Sequence, residues 1–165
     1  MSNKIQIRSY NPDDCNTLMA AGADPLLARL FAARAVAEPH QLADKLSGLI
    51  PFTELKGCEE AACRLADAVA RRENILIVAD YDADGATACA VAVKGLQSMG
   101  AAVDFLVPNR FEHGYGLTPE LAEMAAAQGA QILMTVDNGI ASLAGVARAQ
   151  ALGLEVIVTD HHLPA

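Results

Sequence analysis

The chain has four cysteines, Cys15, Cys58, Cys63 and Cys89, and no Cys-x-x-Cys pair among them. Cys58 and Cys63 stand five positions apart, which puts them on different faces of any helix there. That spacing suggests neither a zinc site nor a disulfide framework, and free thiols fit a reducing cytoplasm. Long apolar runs are also missing. Stretches such as Ile75 to Ala79 are far too short to cross a bilayer, so no membrane association is expected. The start, Met1 to Arg8, carries Lys4 and Arg8 with no apolar stretch behind them, which reads against a secretory signal. Internal repeats, low-complexity tracts and flexible linkers are absent. Basic residues are scarce: 12 Lys and Arg against 20 Asp and Glu leave a net charge of −8. A strong grip on a polyanion would need a basic surface that this composition does not supply.

What is present suits one compact domain: 165 residues, 53% hydrophobic and 19% charged, enough to bury a core and too apolar for disorder. Residues 1–73 read as helical. Asp24-Pro25 is a helix start, with Asp as the cap and Pro in the first turn. It leads into Leu26, Leu27, Leu30 and Phe31 at helical spacing. Glu38-Pro39 starts a short helix closed by Ser47-Gly48, and a third helix over Glu59 to Arg72 carries Ala62, Leu65, Ala66 and Val69 on one face. From residue 74 to 165 the pattern changes. Ile75–Val78, Val103–Val107, Ile132–Val136 and Val156–Thr159 are short β-prone runs. Between them lie alanine-rich segments of helical length, about Ala86 to Met99, Pro119 to Gln128 and Ser142 to Leu152. Strands apolar on both faces that alternate with helices predict a parallel sheet covered on both sides. Gly100, Gly129 and Gly153 sit where C-terminal caps belong. The expected fold class is α/β, a Rossmann-like parallel β-sheet behind a helical N-terminal segment.

Ligands of open parallel sheets bind at the carboxyl ends of the strands. After the first run come Asp80, Asp82 and Asp84; after the third, Asp137-Asn138-Gly139; after the fourth, Asp160, His161 and His162. Each piece has an ordinary explanation: Asp84-Gly85 as a helix start, Asn138-Gly139 as a turn, adjacent histidines as solvated surface. Together they are harder to dismiss, because five carboxylates at one edge repel unless some protonate or cations are recruited. Oxygen-rich ligation with one or two imidazoles suits manganese or magnesium better than zinc. Two such ions bridged by a carboxylate make phosphoester hydrolysis the natural chemistry. They would move the charge from −8 to −4, since each carries +2, and the chain would remain acidic.

Asp80-x-Asp82-x-Asp84-Gly85 also matches the opening of an EF-hand loop, but the twelfth position is Val91 instead of Glu and a strand precedes it. A haloacid-dehalogenase-like phosphatase would place Asp-x-Asp after its first strand too, yet it needs a later Lys and a further acidic pair. A third reading, a non-catalytic DNA-binding replication factor of the same fold, would have lost Asp82, Asp137 or His161. All three are present.

The ordered set Asp80-Tyr81-Asp82-Ala83-Asp84-Gly85, Val136-Asp137-Asn138-Gly139 and Asp160-His161-His162 resembles the DHH phosphoesterase superfamily, which the last triplet names. Within it, the segment Val107 to Thr118 and the first motif, which lacks the histidine and proline of the pyrophosphatase and short-oligonucleotide branches, look like the single-stranded-DNA exonuclease branch. The resemblance implies a manganese- or magnesium-dependent enzyme with two divalent cations, serving DNA repair and recombination. It would release nucleotides from the 5′ end of single-stranded DNA. Asp80, Asp82, Asp84, Asp137 and His161 are then the metal ligands, with Asp137 bridging. His162 contacts the scissile phosphate or supports the ligands from behind, as Asp160 and Asn138 do, with Asp160 fixing the imidazoles. Arg110 is a phosphate contact and Tyr115 a stacking platform for a base. Single-stranded DNA is the implied partner, with single-stranded-DNA-binding protein as a further candidate. The resemblance divides the chain into residues 1–73 and a catalytic part, 74–165, that stops just after its Asp-His-His motif. A fourth motif, a second lobe and an oligonucleotide-binding domain are expected beyond it, and the chain alone is expected to be inactive or nearly so.

Overall fold

The computed structural model describes residues 6–43 and 45–164; the part of the start reading that rests on Lys4 lies outside them. The chain forms two compact units, Met1–Glu54 and Leu55–Ala165.

In the first unit α1 (Pro12–Ala20) is capped by Asn11, whose side chain accepts from the Asp13 N–H. Asp24 caps α2 (Pro25–Ala32) as the sequence predicts, accepting from the N–H groups of Leu26 and Leu27. Cys15, Leu18, Ala28 and Ala32 form the core of the unit. The stripe of leucines on α2 does not: Leu26, Leu27 and Leu30 are exposed, and the close α1–α2 approach is made by alanines instead. The short helix expected from Glu38 to Gly48 is replaced by two 3-10 turns, Pro39–Leu42 and Leu46–Gly48. Neither buries a residue fully and only Leu42 packs against the core of the unit, so little apolar contact offsets the cost of nucleating an α-helix. A third 3-10 turn spans Phe52–Glu54.

The second unit opens with α3 (Cys58–Arg71), one residue from the expected start. Its buried residue is Ala68, with Leu65 packed beside it, while Ala62 and Ala66 of the predicted stripe face out. Then follow β1 (Asn74–Ala79), α4 (Ala83–Ser98), β2 (Ala102–Leu106), α5 (Arg110–His113), α6 (Pro119–Ala127), β3 (Ile132–Val136), α7 (Leu143–Ala151) and β4 (Glu155–Thr159). The four strands make one parallel sheet in the order β2-β1-β3-β4, with Ile75 opposite Ile132 and Val136 opposite Thr159. The expected α/β architecture is the one observed. Gly100, Gly129 and Gly153 end their helices at φ +85°, +78° and +83°.

Strand alternation divides the core. Ile75, Ile77, Ala79, Ile132 and Val136 pack against α3 and α4 through Ala68, Cys89 and Leu96. Leu76, Val78 and Leu133 pack on the other face against α6 and α7 through Leu121, Ala122, Ala125 and Ala149. The central strands β1 and β3 are buried on both sides, each large side chain contributing about 2–3 kcal/mol of hydrophobic stabilisation. This core positions the site. The chain leaves β1 toward β2 and then crosses back to β3, so the winding reverses between β1 and β3, where open α/β sheets bind ligands.

Candidate metal centre

The carboxyl ends of β1 and β3 are fastened to each other before any functional side chain is placed. The Asp80 N–H donates to the Val136 carbonyl at 3.3 Å, and on the other side of β3 the Asp137 N–H donates to that of Thr159 on β4 at 3.0 Å. Asn138, 1% exposed, donates from Nδ2 to the carbonyls of Val78 (3.1 Å) and Val136 (2.9 Å) and so clips the two strand ends together. Asp137 adopts the left-handed conformation at φ +62°, a conformation that few residues besides Gly, Asn and Asp adopt readily. Gly139 follows at φ +111° against Thr135, where a Cβ would lie 2.5 Å from the threonine hydroxyl.

Asp80 and Asp137 are both buried, 7% exposed each. Asp82 caps α4: its Oδ1 accepts from the N–H groups of Asp84 (3.1 Å) and Gly85 (3.0 Å), and the Gly85 bond leads in holding its carboxyl below the ordinary value. The helix therefore begins at Ala83, three residues earlier than the sequence pattern suggests, and Asp84 lies in its first turn. Burial pushes the Asp137 carboxyl upward, with repulsion from Asp82 adding to it, while His161 and His162 pull the other way. At the end of β4, Asp160 accepts from the Ile140 N–H (2.9 Å) and the His162 N–H (3.0 Å), and its Oδ1 lies 2.7 Å from His162 Nδ1. Burial opposes ionisation of Asp160, but these hydrogen bonds prevail and hold its carboxyl low. The Asp160 hydrogen bond raises His162 above its ordinary value. His161 Nε2 lies 2.9 Å from Asp137 Oδ1. That approach lacks hydrogen-bond alignment, so the buried oxygen has no hydrogen-bond partner.

Among the described residues two ligand groups result, each with its donor atoms within 4.8 Å of one another: Asp80, Asp82 and Asp137, and Asp137, His161 and His162. Asp137 is common to both. The donor set fits hard divalent cations, and the orphaned Asp137 oxygen is the atom such an ion would satisfy. Asp84 joins neither group; it lines a cavity of about 760 Å³ together with Asp137, Asp160 and His161. Asp160 braces His162, while His161 rests against Asp137.

Arg110 and Tyr115 fall at the same edge. Asn109 caps α5, a short helix with no clear sequence signal, which brings the Arg110 guanidinium 3.1 Å from both oxygens of Asp80. Its central carbon stands 4.0 Å from the Tyr81 ring centroid and 5.1 Å from that of Tyr115. The Tyr115 hydroxyl donates to the Asp137 carbonyl at 3.5 Å and lies 3.4 Å from His162 Nδ1. Burial raises the Tyr115 phenol. Tyr81 is the participant that motif reasoning passes over, because a cation–π contact to a residue 29 positions away leaves no local signal.

A parallel sheet whose reversal point gathers Asp80, Asp82, Asp137, His161 and His162 defines a class, and comparison with known families agrees. Residues 74–165 match the DHH family, N-terminal domain, and the chain belongs to that family. Among characterised proteins it is 47% identical over 165 residues to the single-stranded-DNA-specific exonuclease RecJ of Escherichia coli (strain K12), with 99% of this chain and 28% of RecJ aligned. It is also similar to a crystal structure of exonuclease RecJ bound to manganese, at TM-score 0.65 and 39% identity over 71% of this chain and 30% of that one. A second similar structure, RecJ in complex with Mn2+ from Thermus thermophilus, has TM-score 0.60 and 31% identity over 95% of this chain and 22% of that one. The chain thus spans about 28% of the length of the RecJ relative from Escherichia coli. Membership of the DHH family sets aside the haloacid-dehalogenase reading.

Proposed function

We propose that residues 74–165 carry the metal-binding half of a phosphodiesterase site, preceded by a helical segment, 1–73. Within a longer protein, the site releases nucleotides from the 5′ end of single-stranded DNA during repair and recombination. The observation that carries this reading is Asp137, one buried carboxylate shared by both ligand groups. The similarity to RecJ proteins, two of them crystallised with manganese, supports the same substrate and metal class.

Two divalent cations, manganese or magnesium, supply water activation and charge neutralisation at a phosphoryl group. The chain's own residues do the holding. Asp80, Asp82 and Asp137 form the acidic pocket, His161 completes the second group, and Asp84 adds a carboxylate on the cavity wall. His162, whose protonated form the Asp160 hydrogen bond favours, meets the scissile phosphate, and Asn138 keeps the strand ends in register. Arg110 is a phosphate contact and Tyr115 a platform for a base. With a net charge of −8, the remaining grip on DNA belongs to the parts of the longer protein absent here, and the chain alone is inactive or nearly so. Four free cysteines support a cytoplasmic setting, and among the described residues no helix is long and apolar enough to cross a membrane. Single-stranded-DNA-binding protein is the protein partner this reading suggests.

Calorimetric titration of manganese into the chain, beside an Asp137→Ala variant, tests the reading. Binding by the wild type and none by the variant is expected. Failure of the wild type, and of a longer chain carrying it, to bind manganese would sink the proposal.

A further inference from the structure

We propose that Arg110 is a displaceable internal cation: it holds Asp80 while no metal is bound, and a metal ion taking Asp80 releases it for the substrate phosphate. This rests on the metal reading above and adds to it a coupling between metal loading and phosphate capture. Asp80 belongs to the Asp80, Asp82 and Asp137 ligand group, yet one guanidinium nitrogen of Arg110 sits 3.1 Å from each of its carboxylate oxygens. The Tyr81 N–H takes a further position on Oδ1 at 2.8 Å. Among the described residues Oδ2 accepts from Arg110 alone, so an ion reaching Asp80 through that oxygen competes with the guanidinium. Like charges also oppose the approach of the ion to an arginine already in place.

The guanidinium has somewhere to go. Tyr81 and Tyr115 flank it at 4.0 and 5.1 Å, and neither is a ligand of the cluster. Both rings are half exposed, and so is the Arg110 side chain. An arginine that slides on an aromatic face keeps that attraction after its carboxylate is lost, and its planar fork then faces outward, a geometry suited to a phosphate. Tyr81 is therefore a positioning residue. The coupling is reciprocal: a phosphate that occupies Arg110 withdraws the competitor of the metal, so each ligand favours the other.

Manganese titrations of the wild type, Arg110→Gln and Arg110→Lys test this, with thermal melts to confirm that the variants fold. Arg110→Gln is expected to bind manganese roughly three- to tenfold more tightly at low salt, with the gain shrinking as salt is added. Arg110→Lys, which keeps the charge, is expected to stay near the wild type. Equal or weaker binding by Arg110→Gln overturns the displacement while leaving the metal reading intact. No binding by any of the three overturns the metal reading, and the displacement with it. A second measurement needs no functional variant: in ¹⁵N-labelled wild type, magnesium is expected to shift the Arg110 Nε resonance, assigned by its loss in Arg110→Lys. An Arg110 signal unmoved by saturating magnesium would also overturn the displacement.

Discussion

Asp137 sets stability and function against each other. A carboxylate whose folded value is raised favours the fold only when protonated. That contribution is full below the unfolded value of 3.8 and is lost as pH rises through the raised folded value. In the metal-free chain, burial and Asp82 therefore both disfavour the ionised form of this group. Asn removes the charge and tolerates the left-handed backbone at φ +62°. We expect Asp137→Asn to raise the metal-free melting temperature by about 1–3 °C while abolishing manganese binding. Differential scanning calorimetry with and without manganese reads both effects, and a lowered metal-free melting point would contradict this account. His162 is expected to titrate above 6.5 and to return toward it in Asp160→Asn, read from its ring proton shifts.

Two elements carry the geometry of the site, helix α4 and strand β4. The first turn of α4 lies so close to the end of β1 that a Cβ on Gly85 would overlap the Asp80 carbonyl. Gly85→Ala is expected to cost about 1–3 kcal/mol in urea unfolding and to weaken manganese binding, because Asp80 must shift. Strand β4 is a half-covered edge whose first residue, Glu155, takes a two-point ion pair from Arg64 on α3. The hydrogen bond from Arg64 holds Glu155 below its ordinary value, so its contribution is present above the unfolded value of 4.5 and is lost as pH falls through the lowered one. Glu155 is exposed, and solvent screening keeps the cost of Glu155→Gln under about 1 kcal/mol at neutral pH. Urea midpoints of the two chains should differ at neutral pH and converge in acid.

For the whole molecule, the compact unit that carries the site begins at Leu55, whereas the family match begins at residue 74, because α3 packs into the sheet core through Ala68 and Leu65. Residues 55–165 expressed alone are expected to fold and to bind manganese as the full chain does; the same cut made at residue 74 should lose stability. Circular dichroism and titration of the two fragments distinguish these outcomes. Since metal binds the folded state, manganese at one hundred times its dissociation constant should stabilise the chain by about 2.7 kcal/mol.

Much of the fold was legible because its signals are local. Apolar runs of strand length, alanine-rich segments between them and glycines just past the helices belong to short windows, and the structure places all four strands within a residue or two of those runs. The three acidic and histidine motifs were visible for the same reason. Short-range pattern could not say which face a helix buries, so only Phe31 of the α2 stripe and Leu65 of the α3 stripe pack on a core, nor that Pro39–Leu42 and Leu46–Gly48 bury no residue fully. The sequence by itself determined which side chains reach the ligand edge of the sheet. Only the strand order β2-β1-β3-β4 decided that Asp80 and Asp137, 57 positions apart, stand together, that Asp137 serves both ligand groups, and that Arg110 rests on Asp80. Those are relations between elements distant in the chain, which packing establishes and local propensity does not encode.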